Sequence, residues 1–290
     1  MTSTFSRLNR PALLAALLGA ASLPALAAGD KPGTVFRDCK TSCPEMVVLP
    51  AGSYMMGTPD NELGRQPDEG PMHQVTFAKP FAISRFQVTA GEWDAYIRES
   101  GVKIADGDTR PGRECKAGKP RYKQGPKQPA VCMDYHDIEA YVAWLSKKTG
   151  KHYRMVSEAE REYAARAGSS GPFPFPLDPD AEYEISQHAN VYGPKDGYSF
   201  SSPVGSYPAN DFGVYDMHGN VYEFVADCHH DSYVGAPADG SAWKEAGCKV
   251  VQIRGNDWGE APIFSRSGNR NNVYITTRGD WLGFRVIREL

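Results

Sequence analysis

The 290-residue sequence lacks any apolar run long enough to cross a bilayer. Its longest, Ala12 to Leu23, falls well short of the roughly twenty residues that a spanning helix needs, so membrane insertion is not expected. A strong excess of either charge is missing as well: the formal net charge is −3. Without a basic surplus, nucleic acid and anionic membrane surfaces are poor partners. Helical periodicity is scarce after residue 168, where Gly, Asn and Asp punctuate short apolar stretches. No internal repeat, linker or composition break divides the chain, which reads as one domain. The seven histidines are scattered. His229-His230-Asp231 is the one place that invites a metal, and neighbouring residues of a strand point to opposite faces.

The N-terminus carries an export pattern. Arg7 and Arg10 form a basic start, Ala12 to Leu23 an apolar stretch, and Ala25-Leu26-Ala27 a small-residue cleavage site. Residues 1–27 are therefore expected to be a signal peptide, and the mature protein to reside in the periplasm. The two arginines are not adjacent, which does not support twin-arginine export. Removing them without removing any acid takes the formal charge from −3 to about −5. Six cysteines in an exported chain favour disulfides. They fall as local couples, Cys39/Cys43, Cys115/Cys132 and Cys228/Cys248, and nearest-neighbour pairing is expected. A metal at Cys39 and Cys43 would need a second ligand pair that the sequence does not offer.

Residues 28–44 read as a leader and residues 45–290 as the domain. Glu45 to Met56 alternates around Pro50-Ala51-Gly52 and suggests a hairpin closed by Gly57, and His73 to Ile83 reads as a strand. Thr89 is an N-cap for a helix over Ala90 to about Ser100. Residues 101–128 form a basic, irregular excursion tied by Cys115. The two main helices are expected over Asp137–Thr149, with Gly150 as C-cap, and from the capping box Ser157-x-x-Glu160 to about Ala167. With Gly 29, Pro 22 and Tyr 15, the whole is an α+β chain of low regular content with short strands.

Several ordered segments resemble the formylglycine-generating-enzyme (sulfatase-modifying factor) family. They are Pro50-Ala51-Gly52-Ser53 with Met56-Gly57, Glu69-Gly70-Pro71, Phe86-Gln87-Val88-Thr89, and Tyr153 to Glu160 followed by Glu162 to Arg166. Phe212 to Glu223, with Gly213, Asp216, Gly219 and Asn220, is the most specific, and Arg254-Gly255, Arg266-Ser267 and Gly283-Phe284-Arg285 close the set. The resemblance covers residues 45–288 and implies a fold related to C-type lectins. It also implies structural calcium at two places. One is Asp216, Glu223 and the carbonyls of Gly219 and Val221; the other is Asn190, Asp196 and the carbonyls of Val191 and Tyr198. Carboxylates and carbonyls on tight turns suit this hard cation.

The chain departs from the family at one decisive point. Active members place two cysteines just before an Arg-Ser segment, where a copper-bound thiolate activates oxygen. Here residues 254–270 contain no cysteine, so neither copper nor formylglycine generation is expected. The segment carries Gly255-Asn256-Asp257-Trp258-Gly259-Glu260 instead. A carboxylate among aromatics can serve as a general base. Glu260 is the first candidate for that role and Asp257 the second acid or hydrogen-bond anchor. Trp258 and Trp281 would stack on a flat substrate, and Arg266 or Arg270 would hold an anionic group; the alternatives are a surface position for Glu260 and structural ion pairs for Arg266 and Arg270. For Arg285 a structural role is favoured.

An exported chain that lacks the catalytic cysteine pair is similar to the branch of the family that matures the siderophore pyoverdine. That resemblance implies periplasmic oxidation of a dihydro precursor, a small or peptide-derived molecule, to its aromatic chromophore. The rival reading is a non-catalytic, calcium-stabilised binding or accessory module of the cell envelope. A pocket under Glu260 favours the enzyme, and a shallow aromatic surface favours the module.

Overall fold

A computed structural model describes residues 1–2, 31–107, 114–177, 182–193 and 195–290. The expected signal segment, with Arg7, Arg10, Ala12–Leu23 and Ala25–Ala27, lies outside them. The first half contains β1 (Val35–Phe36), β2 (Met46–Leu49), β3 (Gly52–Met56), β4 (His73–Phe77), β5 (Phe81–Ser84) and α1 (Ala90–Ser100). Then come β6 (Cys115–Lys116), β7 (Lys119–Pro120), α2 (Tyr135–Thr149), β8 (Tyr153–Met155), α3 (Glu158–Arg166) and the single turn α4 (Glu182–Ile185). The last part is β9 (Tyr222–Cys228), β10 (Val250–Arg254), β11 (Asn271–Tyr274), β12 (Leu282–Phe284) and β13 (Val286–Arg288). This is the α+β arrangement the sequence predicts.

Two sheets carry the architecture. One runs β1-β2-β5-β13-β8, the other β11-β10-β9-β12, and β3-β4 and β6-β7 are separate ribbons. All pairs are antiparallel except β12 with β9, which aligns Leu282 with Tyr222 and Gly283 with Glu223. The hairpin expected over residues 45–56 does not form. β2 is buried along its whole length and pairs with β1 and β5, whereas β3 alternates in exposure and pairs with β4. A strand covered on both faces belongs in the middle of a sheet. The continuous strand expected over 73–83 is likewise two strands in different sheets, parted at Pro80, which has no N–H for a ladder. Because β1 pairs with β2, the leader is built into the larger sheet.

Each main helix starts at a capping box: Thr89 with Glu92, Asp134 with Asp137, and Ser157 with Glu160. The second helix begins two residues earlier than its periodicity suggests, because Asp134 Oδ1 accepts from the Asp137 N–H at 3.0 Å and satisfies an end donor there. Gly101 and Gly150, with φ of 72° and 66°, close α1 and α2 in the left-handed conformation that costs glycine little. Ile138, Tyr141, Val142 and Leu145 of α2 enter the larger core with Trp93, Tyr96 and Phe284. All nine residues of α3 are buried, including Arg161 and Glu162.

The cysteines pair as nearest neighbours, Cys39–Cys43, Cys115–Cys132 and Cys228–Cys248, as expected and as suits an exported protein. Among the described residues, no helix is long and apolar enough to cross a membrane.

Candidate functional site

The cysteine-free segment leaves β10 at Arg254 and turns at once. Gly255 has φ 103°, and a Cβ there would meet Arg161 Nη2 at 2.3 Å, so this close approach requires glycine. Asn256 follows, also left-handed at φ 69°. Its side-chain amide donates to the Ala261 carbonyl at 3.1 Å and to Ser265 Oγ at 2.8 Å, closing the loop on itself. The Trp258 N–H donates to the Asn220 carbonyl at 3.1 Å, which docks the loop on the Asp216–Glu223 turn.

Glu260 is half-buried at the far side of this loop. Its carbonyl accepts from the Tyr192 N–H at 3.0 Å. Its Oε2 accepts from the Tyr222 hydroxyl at 2.9 Å, and that hydroxyl accepts from Asn271 Nδ2 at 3.3 Å. Tyr222 opens β9 and is only 1% exposed. Burial, with the nearby Glu260 charge, drives its phenol well above the ordinary value, so it is a donor and not a base at neutral pH. Asp257 is buried at 2% exposure and accepts from the Gly259 N–H, which anchors the turn that presents Glu260.

Both tryptophans are half-buried near this point, against different neighbours. Trp281 meets the Tyr222 ring edge-on at 5.8 Å. Trp258 packs on Cys115, Val131, Cys132 and Val221 and meets Phe200 at 5.2 Å. Phe200 in turn stacks on Tyr122 at 4.6 Å, beneath the Arg121 guanidinium. Glu260 lines none of five surface cavities of about 230 to 510 Å³.

The arginines expected to face a substrate anion are turned inward. Arg266 is 2% exposed and gives both terminal nitrogens to Glu69, at 2.9 and 2.7 Å, with Glu62 and the Gly64 carbonyl completing its set. Arg270 is 4% exposed and pairs with Glu158 at 2.8 Å, the Asp68 carbonyl and the His230 carbonyl. They belong to a buried ionic layer with Arg254, which meets Glu158 at 3.1 Å and Glu162 at 2.5 Å. Burial would raise Glu158, but Arg270 and Arg254 hold it below the ordinary carboxylate range. Neither Arg266 nor Arg270 faces a substrate in this arrangement. Their burial corrects the expectation, since a guanidinium already satisfied inside cannot also bind outside. His230 stacks on Trp243 at 3.6 Å and bonds Glu245, and no cluster of metal-ligand type occurs among the described residues.

The profile of the sulfatase-modifying factor enzyme 1-like domain matches residues 31–290. The chain belongs to this family. Among solved structures it is similar to PvdO from Pseudomonas aeruginosa, with 76% identity and a TM-score of 0.88 over 90% of this chain and 99% of that one. It is 30% identical to the inactive C-alpha-formylglycine-generating enzyme 2 of Bos taurus, over 83% of this chain and 86% of that protein. To the formylglycine-generating enzyme of Mus musculus it is 26% identical over 72% of this chain, spanning 64% of the mouse protein's length.

Within this family setting, the two expected calcium sites differ. At the first, Glu223 is already saturated. Its Oε1 accepts from Arg285 Nε at 2.9 Å and Gln87 Nε2 at 3.0 Å, and its Oε2 from Arg161 Nε at 3.1 Å. Gln87 Nε2 also reaches the Val221 carbonyl at 3.1 Å and the Gly219 carbonyl at 3.4 Å. An amide and two guanidiniums thus hold the oxygens that a cation would need. Asp216 gives one oxygen to the Gly205 N–H at 2.8 Å, and burial pushes its carboxyl up to about 6. Asp216 Oδ1 is left without a partner, but Glu223 and the Gly219 and Val221 carbonyls already face protein donors, so Asp216, Gly219, Val221 and Glu223 fit calcium poorly.

The second set does fit. Asn190 Oδ1 is buried without a partner, while its Nδ2 is engaged by the Phe200 carbonyl at 2.9 Å. Asp196 accepts from the Val191 N–H at 3.0 Å and the Tyr198 N–H at 2.9 Å, keeping those residues around one carboxylate. An orphaned amide oxygen beside a carboxylate loop is what a hard cation would satisfy.

The sequence offers no signal for Asn271, and it marks Tyr222 and Gln87 only as members of family segments, with no role. Tyr222 lies inside the most specific family segment, next to Glu223 on a strand, so alternation alone sends it to the face opposite the buried carboxylate.

Proposed function

We propose that this chain is a periplasmic enzyme that oxidises the dihydro precursor of a pyoverdine-type siderophore to its aromatic chromophore. The observation that carries the reading is the Glu260 carboxylate, held through one oxygen by Tyr222 in the segment where active relatives keep their cysteines. Likeness to PvdO at 76% identity supports it. Glu260 takes one proton from the reduced ring and passes it on, so that two electrons and both protons reach dioxygen, giving hydrogen peroxide, or a quinone, giving the quinol, and Glu260 returns to the carboxylate. The substrate loses two hydrogens and gains a conjugated double bond. Trp281 and the Trp258–Phe200 pair offer faces for a flat ring. That Glu260 lines none of the five cavities favours the rival binding-module reading, so turnover itself has to decide between the two.

Calcium, where bound, would be held by Asn190, Asp196 and the carbonyls of Val191 and Tyr198. It would supply rigidity to the loop behind Glu260, since the Tyr192 N–H reaches the Glu260 carbonyl. The experiment is conversion of purified reduced precursor by the mature protein, followed by chromophore absorbance, for wild type and Glu260→Gln. Absence of turnover by the folded wild-type protein with both dioxygen and quinone would favour a binding module instead.

A further inference from the structure

We propose that Asn271 and Tyr222 form a one-directional hydrogen-bond relay that positions Glu260, fixing Oε2 and leaving Oε1 as the oxygen that takes the substrate proton. This rests on the reading of Glu260 as the base.

The direction of the relay follows from its far end. Asn271 Oδ1 accepts from the Asn272 N–H at 2.8 Å, so the amide is oriented with Nδ2 toward Tyr222. That Nδ2 donates to the Tyr222 oxygen at 3.3 Å. The phenol, kept protonated by burial, then has its own hydrogen left for Glu260 Oε2 at 2.9 Å. Chained donors of this kind polarise one another. Glu260 Oε1 has no hydrogen-bond partner among the described residues.

The relay stands on rigid elements. Tyr222 is the first residue of β9, between β10 and β12, and its N–H donates to the Trp281 carbonyl at 2.9 Å. The Trp281 ring closes on its edge. Asn271 is the first residue of β11, paired with Ile253. A carboxylate torsion is otherwise broad, so an untethered Glu260 would sample many directions. Tethering one oxygen from a strand places the other in a defined position, and small misplacements of a base are costly.

The test compares Tyr222→Phe, Asn271→Ala, the double variant and Glu260→Gln in the mature protein with reduced precursor as substrate, folding being checked by circular dichroism and thermal melting. Tyr222→Phe keeps the ring and is expected to lower kcat roughly tenfold to a hundredfold, with KM within about twofold. Asn271→Ala should lower kcat less, and the double variant should be no worse than Tyr222→Phe, since Asn271 acts only through the phenol. Wild-type kcat in Tyr222→Phe, or a loss confined to KM, would overturn the relay while leaving Glu260 as base. Multiplicative losses in the double variant would also overturn it. An active Glu260→Gln would instead remove the base reading itself, and the relay with it.

Discussion

Arg285 Nε donates to Glu223 Oε1 at 2.9 Å with both side chains wholly out of solvent. Arg161 approaches the other oxygen at 3.1 Å. Burial alone would raise Glu223, but these two guanidiniums hold it below the ordinary range. With Gln87 the trio ties α3, β9, the segment after β5 and the junction of β12 and β13 together at one point. Truncating one partner leaves an uncompensated buried charge, which costs about 3–5 kcal/mol. Arg285→Met is expected to lower unfolding stability by that amount in urea titrations. A change under about 1 kcal/mol would show that the carboxylate finds another partner.

Calcium should act at one place. Titration of the metal-free protein is expected to raise the melting temperature, by about 2.7 kcal/mol of stability at a hundredfold excess over Kd. Asp196→Ala should abolish the shift. Gln87→Ala should leave it intact, because the Glu223 site is filled by protein donors. Loss of the shift in Gln87→Ala alone would contradict this assignment.

Much of this fold could be read in advance. The N-cap at Thr89, the capping box at Ser157, the stripe Ile138-Tyr141-Val142-Leu145 and the three local cysteine couples all report on neighbours in the chain, and such signals survive without knowledge of tertiary structure. Strand partners did not. β2 and β3 lie side by side in sequence but join different sheets, a choice made by burial across the whole domain. Glu260 and Trp258 were visible because they stand in a recognisable segment. The choice between substrate anchor and ion pair for Arg266 and Arg270 is not legible in the sequence, because their carboxylates, Glu69 and Glu158, are about two hundred and about one hundred residues away. The Tyr222–Glu260 contact spans thirty-eight residues, and no periodicity connects its two ends.

The Cys115–Cys132 bond lies under the site, since both cysteines pack with Val221 and Trp258. It closes a loop with a sequence separation of 17, for which a loss of about 3 kcal/mol is expected on removal. A Cys115→Ala/Cys132→Ala variant should therefore melt lower and show a red-shifted or broadened Trp258 emission. Unchanged Trp258 fluorescence would separate the bond from the site.

Asp227 gives a pH signature. Burial, reinforced by the charge of Glu158, pushes its carboxyl up to about 7 from an ordinary 3.8, although it accepts from the Glu158 and Trp243 N–H groups at 2.7 Å each. The folded state thus keeps a proton that the unfolded chain releases, and this group's contribution falls as pH rises from about 4 to about 7. Asp227→Asn should lose stability overall, because an amide cannot accept at both positions. Its stability should nevertheless fall less steeply than wild type across that window in urea titrations at fixed ionic strength. Parallel curves would contradict the assignment.

The most direct test of the account is the Glu260→Gln substitution in the native host, scored for siderophore absorbance and accumulated precursor at matched protein level. The account predicts a folded protein, loss of the mature chromophore and build-up of the reduced precursor. Normal chromophore production by that variant would contradict it, and normal production after deletion of the whole gene would remove the siderophore role altogether.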